Sequence, residues 1–429
     1  MTPPKSVLLK HHQTSKCLAL LACLNIISLI STCALAGEDS KQTWLPEQLQ
    51  FHTFGTLGAS YHNEKGLIYR RNTEQKSGVQ ANQLNFSSDS VLGGQADLLI
   101  NDQFSSSLQL VSRNNSKDNW KPELITGFIR YAPSEKLQFR LGRMTTPSNI
   151  GAETRYASYA YTEIRPSQDV YGLFSSYDRY DGIDIKYTKP FLTGIASVFA
   201  GYGKTVGETY LGGVSSNVKN TTNSTFTLSW QKDNFEVRGL LSVHNAKKQA
   251  AYSSFSEALD ATPFPIAKQR AAEIRNAEDF KVYICGISAR YTFDGWKIQG
   301  VLGKSYLSDY NKANVENGSI LVTHRFGQLT PYAIIAYSNV NTTFKPTGVP
   351  NLNAQLLALN TAYNNATTLY NTKQNTLSLG LRYDFGEYYA IKTQIDKITA
   401  DSNPIIISSS PPGGSKDLTL FTIALDFLF

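Results

Sequence analysis

From residue 50 onward the chain consists of short segments in which apolar and polar side chains alternate with a period of two. The pattern is clearest in the last twelve residues, 418–429. One face of this segment carries only Phe421, Ile423, Leu425, Phe427 and Phe429, and the other carries Leu420, Thr422, Ala424, Asp426 and Leu428. Because one face is wholly apolar and the other contains a charge, we predict a β-strand between lipid and a wetter interior.

Fifteen further segments of this kind precede it, which makes sixteen predicted strands. They cover residues 50–61, 90–101, 104–113, 123–132, 136–143, 181–189, 193–202, 223–232, 235–244, 279–293, 296–306, 317–326, 329–340, 374–385 and 388–399, and the sixteenth begins at residue 416. Strands of about ten residues are long enough to cross a bilayer when they are tilted.

The connections between these segments alternate in length. Seven tight turns, such as Asp233-Asn234 and Asp294-Gly295, alternate with eight longer connections, of which residues 144–180 are the longest. Short and long connections therefore lie at opposite ends of the strands, whereas a soluble β-sandwich does not sort its loops in this way. The sequence predicts an all-β fold, a transmembrane antiparallel up-and-down β-barrel of sixteen strands. Helical turns are predicted within two long connections, residues 253–279 and 351–372.

The N-terminus has the composition of a signal peptide. Three lysines within the first sixteen residues precede an uncharged stretch over residues 17–36. Ala34 and Ala36 supply the small residues that a signal peptidase requires, so we predict cleavage before Gly37. On this prediction residues 1–36 are removed on export and residues 37–429 form the barrel. Two alternatives are an uncleaved anchor, which polar residues interrupt, and a lipoprotein modified at Cys23, whose apolar core is short.

Composition excludes several classes of protein. No segment after residue 36 contains eighteen consecutive apolar residues, so the chain is not a helical membrane protein. Three of the four cysteines precede residue 37, and Cys285 alone cannot form an internal disulfide. Removal of three lysines lowers the net charge from +7 to +4, since 38 basic residues then oppose 34 acidic ones. No Lys/Arg-rich run is present, so we predict no nucleic-acid partner.

Motifs for catalysis or metal binding are weak. Gly203-Lys204-Thr205 resembles the end of a phosphate-binding loop, but Val198 occupies the position where that loop requires glycine. The histidines show no metal-ligand spacing and no CxxC is present, so we predict no metal and no cofactor. His244 and His324 have serines and acids nearby, but no nucleophile elbow occurs. We therefore predict that the protein is not an enzyme.

The parity of the strands assigns side chains to the lumen. In the segment 123–132, an outward face with Ile125, Ile129 and Tyr131 turns Arg130 inward. An arginine facing lipid at mid-membrane costs about 2–4 kcal/mol, so strand arginines are expected to face water. The arginines assigned to the lumen on this argument are Arg113, Arg130, Arg140, Arg238, Arg290, Arg325 and Arg382.

An opposing set of charges lies in the long connection 144–180. Long ordered loops are usually functional. The candidate constriction residues there and just before it are Arg143, Glu153, Arg155, Glu163, Arg165, Asp169 and Asp178.

Two regions resemble the Gram-negative porin superfamily. These are the closing strand, which ends in phenylalanine, and the stretch from Arg140-Leu141-Gly142-Arg143 through Arg165-Pro166 to Tyr180-Asp181-Gly182. The resemblance implies an outer-membrane protein whose third external loop narrows the lumen, with acids facing wall arginines, and whose usual assembly is a homotrimer. It also implies that the barrel-assembly machinery recognises Phe427 and Phe429. The Pro-Glu-Phe-Gly-Gly tip of the enteric general porins is absent.

The function expected from these features is a passive, water-filled channel for small hydrophilic solutes and ions, with slight anion preference. The alternatives are a channel specific for a sugar, phosphate or carboxylate, a barrel enzyme, and a surface adhesin or phage receptor. The partners expected are outer-membrane lipid, the barrel-assembly machinery, the permeating solutes and two further copies of the chain.

Overall fold

A computed structural model describes residues 48–429, except 212–213, 219–220, 247–249, 277–279, 309–311, 344, 368–371, 403–406 and 410–415. The predicted signal peptide, with Ala34, Ala36 and Gly37 at its cleavage site, lies outside the described residues.

Sixteen strands form one closed barrel, in which neighbours in sequence pair antiparallel and β1 pairs with β21. The barrel strands are β1 (Leu49–Tyr61), β4 (Val91–Leu99), β5 (Phe104–Arg113), β6 (Glu123–Ser134), β7 (Leu137–Thr145), β8 (Arg179–Phe191), β9 (Gly194–Thr205), β12 (Thr222–Lys232), β13 (Phe235–Ala246), β14 (Phe280–Phe293), β15 (Trp296–Ser308), β16 (Ala313–His324), β17 (Leu329–Thr342), β18 (Thr372–Phe385), β19 (Tyr389–Ser402) and β21 (Lys416–Leu428). Each corresponds to one predicted strand, so the predicted fold class is confirmed.

Among the described residues, five short strands outside the barrel were not predicted. β2 (Leu67–Tyr69), β3 (Val79–Gln80) and β20 (Ile407–Ser409) join the first and last long connections in a three-stranded sheet. β10 (Glu208–Leu211) and β11 (Val214–Asn217) form a hairpin. These segments have two to four residues, which is too short for a period of two to be recognised.

Four helices lie in the described parts of the long connections. They are α1 (Gln168–Tyr171), α2 (Ala250–Asp260), α3 (Pro265–Asn276) and α4 (Ala354–Thr367). The last three confirm the helical turns that the sequence predicts, and they pack together through Leu259, Ile274 and Tyr363. Among the described residues, no helix has the length and apolar character needed to span a membrane.

The two faces of the barrel wall differ as the alternation predicts. On the outward face, Leu141, Ile335 and Ile395 are exposed, which suits contact with lipid. On the inward face of β19, the alternating residues Lys392, Gln394 and Asp396 are buried. In β21, likewise, Phe421 and Ile423 face outward and Asp426 is buried inside.

A register shift in β6 corrects one predicted orientation. The pairing of β5 with β6 passes from Gln109↔Thr126 to Leu110↔Leu124, so Ile125 has no direct partner, as in a β-bulge. Ile129 stays on the outward face. Ile125, predicted to face outward with it, instead packs inside the barrel against Phe54 and Val111. An extra residue in one strand reverses the parity beyond it, and periodicity alone does not reveal where the extra residue lies.

Candidate functional site

The connection between β7 and β8, residues 146–178, packs against the inward faces of the barrel strands. We call it the lumen loop. It contains α1 and three short 3-10 turns at Ala152–Thr154, Ser158–Ala160 and Ser175–Tyr177. Its backbone and side chains contact side chains on β13, β14, β15, β18, β19 and β21.

One group of contacts binds the backbone of residues 158–163 to cationic side chains of the wall. The Lys392 ammonium donates to the carbonyl oxygens of Ser158 at 2.7 Å, Tyr161 at 2.7 Å and Glu163 at 2.9 Å. It also lies 2.8 Å from the carboxylate of Asp426, and both side chains are fully buried. Four oxygen atoms thus lie within 2.9 Å of one ammonium group, so this buried charge is compensated.

Arg382, the cross-strand partner of Lys392, binds the same part of the loop. Its guanidinium donates to the carbonyl oxygens of Tyr159 at 2.8 Å and Tyr161 at 2.7 Å. It also lies over the ring of Tyr159, 4.9 Å from the centroid. Two neighbouring cations of the wall therefore bind the carbonyl groups of residues 158, 159, 161 and 163 in the loop.

Farther along β19, the next two inward-facing residues bind the next two residues of the lumen loop. Gln394 accepts a hydrogen bond from the backbone N–H of Ile164 at 3.2 Å. Asp396 accepts one from Arg165 at 2.5 Å, and Asp89 binds the same guanidinium at 2.6 Å. The Arg165 side chain is 1% exposed. Arg165, a predicted constriction residue, is therefore a buried attachment of the loop to the wall.

The lumen loop also reaches β13 to β15. Glu153 forms an ion pair of 2.8 Å with Arg238, which joins a predicted loop acid to a predicted lumen arginine. On β15, the Lys297 ammonium donates to the Thr162 hydroxyl at 2.8 Å. On β14, the Ser288 hydroxyl accepts from the N–H of Ile150 at 3.1 Å. The loop is therefore held on two separated parts of the wall.

Three acidic residues of the loop are buried, namely Glu163, Asp169 and Asp178. Gln374 donates to Asp169 at 2.9 Å, and burial of the carboxyl group raises the pKa of Asp169 to about 6. Glu163 is also buried, and one of its carboxylate oxygens has no hydrogen-bond partner among the described residues.

Three more predicted site residues meet around Tyr156. Arg155 pairs with Asp178, and both Arg155 and Arg113 lie over the Tyr156 ring. Arg113 also pairs with Glu74, at 2.9 Å, and with Glu123. Arg179, the first residue of β8, binds both of those glutamates. Sequence reasoning missed Glu74 because it lies in the first long connection, which carries no parity signal.

The sequence predicts that Arg130 and Arg140 face the loop acids, and in the structure the bonds of both are to residues of the wall. They lie side by side on β6 and β7 and face inward, since Ile129 and Leu141 of the opposite parity are exposed. Arg140 forms a bidentate pair with Asp184 of the wall, both distances being 2.9 Å. Arg130 donates to the Ser105 hydroxyl at 2.9 Å. Spacing along β7 and β8 gave no indication that the partner of Arg140 would come from the next strand.

Two further arginines differ from their predicted positions. Arg143 shares the outward parity of Leu141 and pairs with Asp181 at 2.7 Å, away from the lumen. Arg325 lies in the turn after β16, where it donates to the carbonyl oxygen of Gly327. Both lie near strand ends, where polar residues occupy either face at little cost.

The residues that hold the lumen loop were mostly not identified from the sequence. Four of these are charged residues outside the loop. Asp89 and Asp396 bind the loop residue Arg165, and Asp426 binds Ser158 and Lys392, which in turn binds the loop backbone. The signal available in the sequence was the charge of Asp426 on the inward face of the closing strand.

Comparison with solved structures identifies the fold. No protein-family model matches the chain, and no curated protein matches it. The outer-membrane channel DcaP of Acinetobacter baumannii superposes with a TM-score of 0.53 at 11% identity, covering 89% of this chain and 97% of that one. An anion-selective porin from Comamonas acidovorans gives 0.51 at 12%, covering 89% and 100%. OmpT of Vibrio cholerae, an outer-membrane protein in a trimer form, gives 0.50 at 12%, covering 89% and 99%.

The chain therefore has the closed sixteen-stranded fold of the Gram-negative outer-membrane porins. Its apolar exterior and polar interior are those of a barrel of the outer-membrane type.

Proposed function

We propose that the protein is an outer-membrane porin, a passive water-filled channel for small hydrophilic solutes and ions that is narrowed by the lumen loop. The observation that carries the proposal is the attachment of residues 158–165 to the inward faces of β18, β19 and β21. A loop fixed in this way occupies part of the cross-section of the barrel lumen. The open area that remains sets the size limit for solutes.

The remaining part of the wall supplies the polar lining. The inward faces of β5 to β8 carry Ser105, Arg130 and Arg140, which are partly exposed. The two arginines face the lumen, so a permeating ion passes fixed charges in a confined space where screening is incomplete. The excess of basic over acidic residues after residue 36 favours slight anion preference.

The location and assembly follow the same proposal. The neighbours in fold include an outer-membrane channel and an outer-membrane protein in a trimer form. We infer residence in the outer membrane, assembly as a homotrimer, recognition of Phe427 and Phe429 by the barrel-assembly machinery, and export through a signal peptide that ends at Ala36. No cofactor is required by a passive channel.

We infer that the channel carries out no reaction. The residue most suggestive of catalysis is His244, whose ring lies 3.1 Å from the Ser242 hydroxyl. The other ring nitrogen faces Thr205 at 3.5 Å, where a catalytic triad has a carboxylate. Ser242 also contacts Thr225 and Asn223, which makes it part of a polar ladder between strands.

Single-channel recording of the purified protein in planar bilayers tests this proposal. We expect stepwise conductance that rises in proportion to salt concentration. A folded barrel that gives no steps would contradict a channel of any kind. Conductance that saturates, or that one sugar, phosphate or carboxylate blocks, would favour the alternative of a substrate-specific channel.

A further inference from the structure

A polar cavity lies where the lumen loop meets the first long connection, residues 62–90. It is lined by residues within the ranges 71–75, 88–91 and 166–172 and by Arg113, Arg155, Tyr156 and Ser175. Its volume is about 40 Å³. One water molecule requires about 10–15 Å³ of such space, so the cavity has room for about three groups of that size. We call it the junction cavity.

The charges around the junction cavity favour an anion. Three of the lining residues are basic and one is acidic, namely Arg71, Arg113, Arg155 and Glu74. Glu74 is already bound by Arg113 at 2.9 Å and by Arg179 at 2.6 Å. In the part of the chain that the structure describes, no carboxylate lies within ion-pair distance of Arg71, whose guanidinium donates to a tyrosine hydroxyl. The cavity therefore has one positive charge that no ion pair compensates.

Four buried side-chain atoms of the lining residues have no hydrogen-bond partner among the described residues. They are Nε of Arg113, Nε of Arg155, Oγ of Ser88 and Oε1 of Gln168. Ser88, Arg113 and Gln168 are only 1%, 7% and 8% exposed, so bulk solvent does not satisfy them. Buried polar atoms are rarely left without a partner, because the loss of hydration is then not repaid. A ligand in the cavity would supply the missing partners.

The same side chains are held in place by their other contacts. The guanidinium groups of Arg113 and Arg155 lie over the Tyr156 ring, 5.1 and 5.6 Å from its centroid. The amide nitrogen of Gln168 donates to the Tyr69 hydroxyl. Because these contacts fix the groups before a ligand arrives, little conformational entropy is lost on binding.

We propose that the junction cavity binds one phosphate group, either of inorganic phosphate or of a phosphate ester. The guanidinium N–H groups and the Ser88 hydroxyl donate to its oxygen atoms. Gln168 Oε1 accepts from the hydroxyl of hydrogen phosphate, and a carboxylate ion has no such donor. This requirement for both donors and an acceptor favours phosphate over a carboxylate.

The site goes beyond the proposed function, because it is separate from the arginines that line the channel. Neither Arg130 nor Arg140 is among the residues that line the junction cavity. The first long connection supplies Arg71 and Ser88, and the lumen loop supplies Gln168. A bound phosphate group therefore joins the two connections.

Calorimetric titration of the full-length folded protein in detergent micelles, at constant ionic strength, tests the proposal. The ligands are inorganic phosphate and, separately, glycerol phosphate, and we expect one site per chain. Binding of inorganic phosphate alone assigns the free ion, and binding of both assigns a phosphate group from either source.

Arg71→Gln is the main variant, because Arg71 forms no ion pair with the described residues and its loss leaves the other contacts in place. A hydrogen bond to a charged group is lost, so we expect affinity for phosphate to fall about 10- to 100-fold. Ser88→Ala removes an uncharged donor and should weaken binding about 2- to 10-fold. The matched control is Lys76→Gln, which removes an exposed positive charge from the same connection. Here we expect less than about a twofold change.

Three outcomes would overturn the inference. These are absence of phosphate binding by the unaltered protein, binding of acetate as tight as that of phosphate, and equal loss in Arg71→Gln and Lys76→Gln. Single-channel conductance is recorded for the same samples. Normal channels without phosphate binding contradict only the junction cavity, whereas absence of channels contradicts the proposed function.

Discussion

The inward faces of two parts of the barrel carry similar charged residues that do different things. On β18, β19 and β21, Arg382, Lys392 and Asp426 hold the lumen loop, and the Lys392 side chain has no exposed surface. On β6 to β8, Arg130, Arg140 and Asp184 form their hydrogen bonds and ion pairs, among the described residues, with neighbouring wall residues, and the Arg140 side chain is 21% exposed. We call these the holding wall and the open wall.

The difference shows that an inward-facing charge is not by itself a pore charge. On the holding wall, the ammonium and guanidinium groups satisfy backbone carbonyl groups of residues 158–163, so they determine where the loop lies. On the open wall, the arginines retain access to water and to a permeating ion. Structural charges and functional charges thus occupy the same parity on different strands.

The largest effect is expected for Lys392→Met on the holding wall. The substitution leaves the buried Asp426 carboxylate without its cationic partner and removes one hydrogen bond from each of three loop carbonyl groups. Removal of one partner of a buried ion pair costs about 3–5 kcal/mol, and we expect this loss in the free energy of unfolding in urea. The control, Arg290→Met, breaks a partly exposed pair with Glu236 and should cost less than about 1 kcal/mol. Equal losses in the two variants would contradict the distinction between charges that hold the lumen loop and charges that do not.

A smaller effect is expected where the bulge turns Ile125 inward. Ile125→Ala removes a fully buried side chain that packs with Phe54 and, from the lumen loop, Tyr156. A core substitution of this size costs about 2–4 kcal/mol, measured as the unfolding free energy in micelles. Ile129→Ala, on the exposed outward face, should cost distinctly less in the same assay. If Ile129→Ala is the more costly, the bulge is misplaced and the parity predicted from sequence is right.

The pH dependence of the held loop provides a third test. Burial raises the pKa of Asp169 to about 6, against about 3.9 when unfolded. Between these two pH values the folded state binds more protons than the unfolded state. Ionisation of Asp169 therefore lowers the free energy of unfolding as the pH rises from about 4 to about 6. Asp169→Asn keeps an acceptor for Gln374 and should stabilise the protein by about 1–3 kcal/mol at pH 7.5 but not at pH 4. Asp401→Asn, at an exposed position, should change neither value. A gain that is the same at both pH values would argue against a neutral, buried Asp169.

The sequence predicts the barrel well and the loop contacts poorly, for physical reasons. Alternation identifies all sixteen strands because lipid on one side and water on the other impose a period of two on every strand. It also assigns Arg130 and Arg382 to the interior correctly. It misplaces Ile125, because an inserted residue has no periodic signature.

The contacts of the holding wall could not be predicted from the sequence, because Lys392 and Arg382 donate to backbone carbonyl groups of the loop. Any residue at positions 158, 161 and 163 offers the same oxygen to Lys392, so no side-chain pattern marks the site. Arg165 was identified as a charge in the loop, but its partners Asp89 and Asp396 are 76 and 231 residues away in sequence.

The most direct test of the account is the reversal potential of Arg130→Glu across a salt gradient in planar bilayers. Arg130 faces the lumen from the open wall, and its hydrogen bond is to an uncharged hydroxyl group. Two unit charges a few Å apart interact by about 1–4 kcal/mol depending on screening, so even a fraction of this shifts selectivity.

The account predicts a reversal potential displaced toward cation preference, with conductance of similar size. Lys268→Glu, on the external helix α3, serves as the control and should leave the potential unchanged, because exposed charges farther than about 8–10 Å from the ion path are screened. A wild-type reversal potential in Arg130→Glu would contradict the claim that the open wall lines the channel.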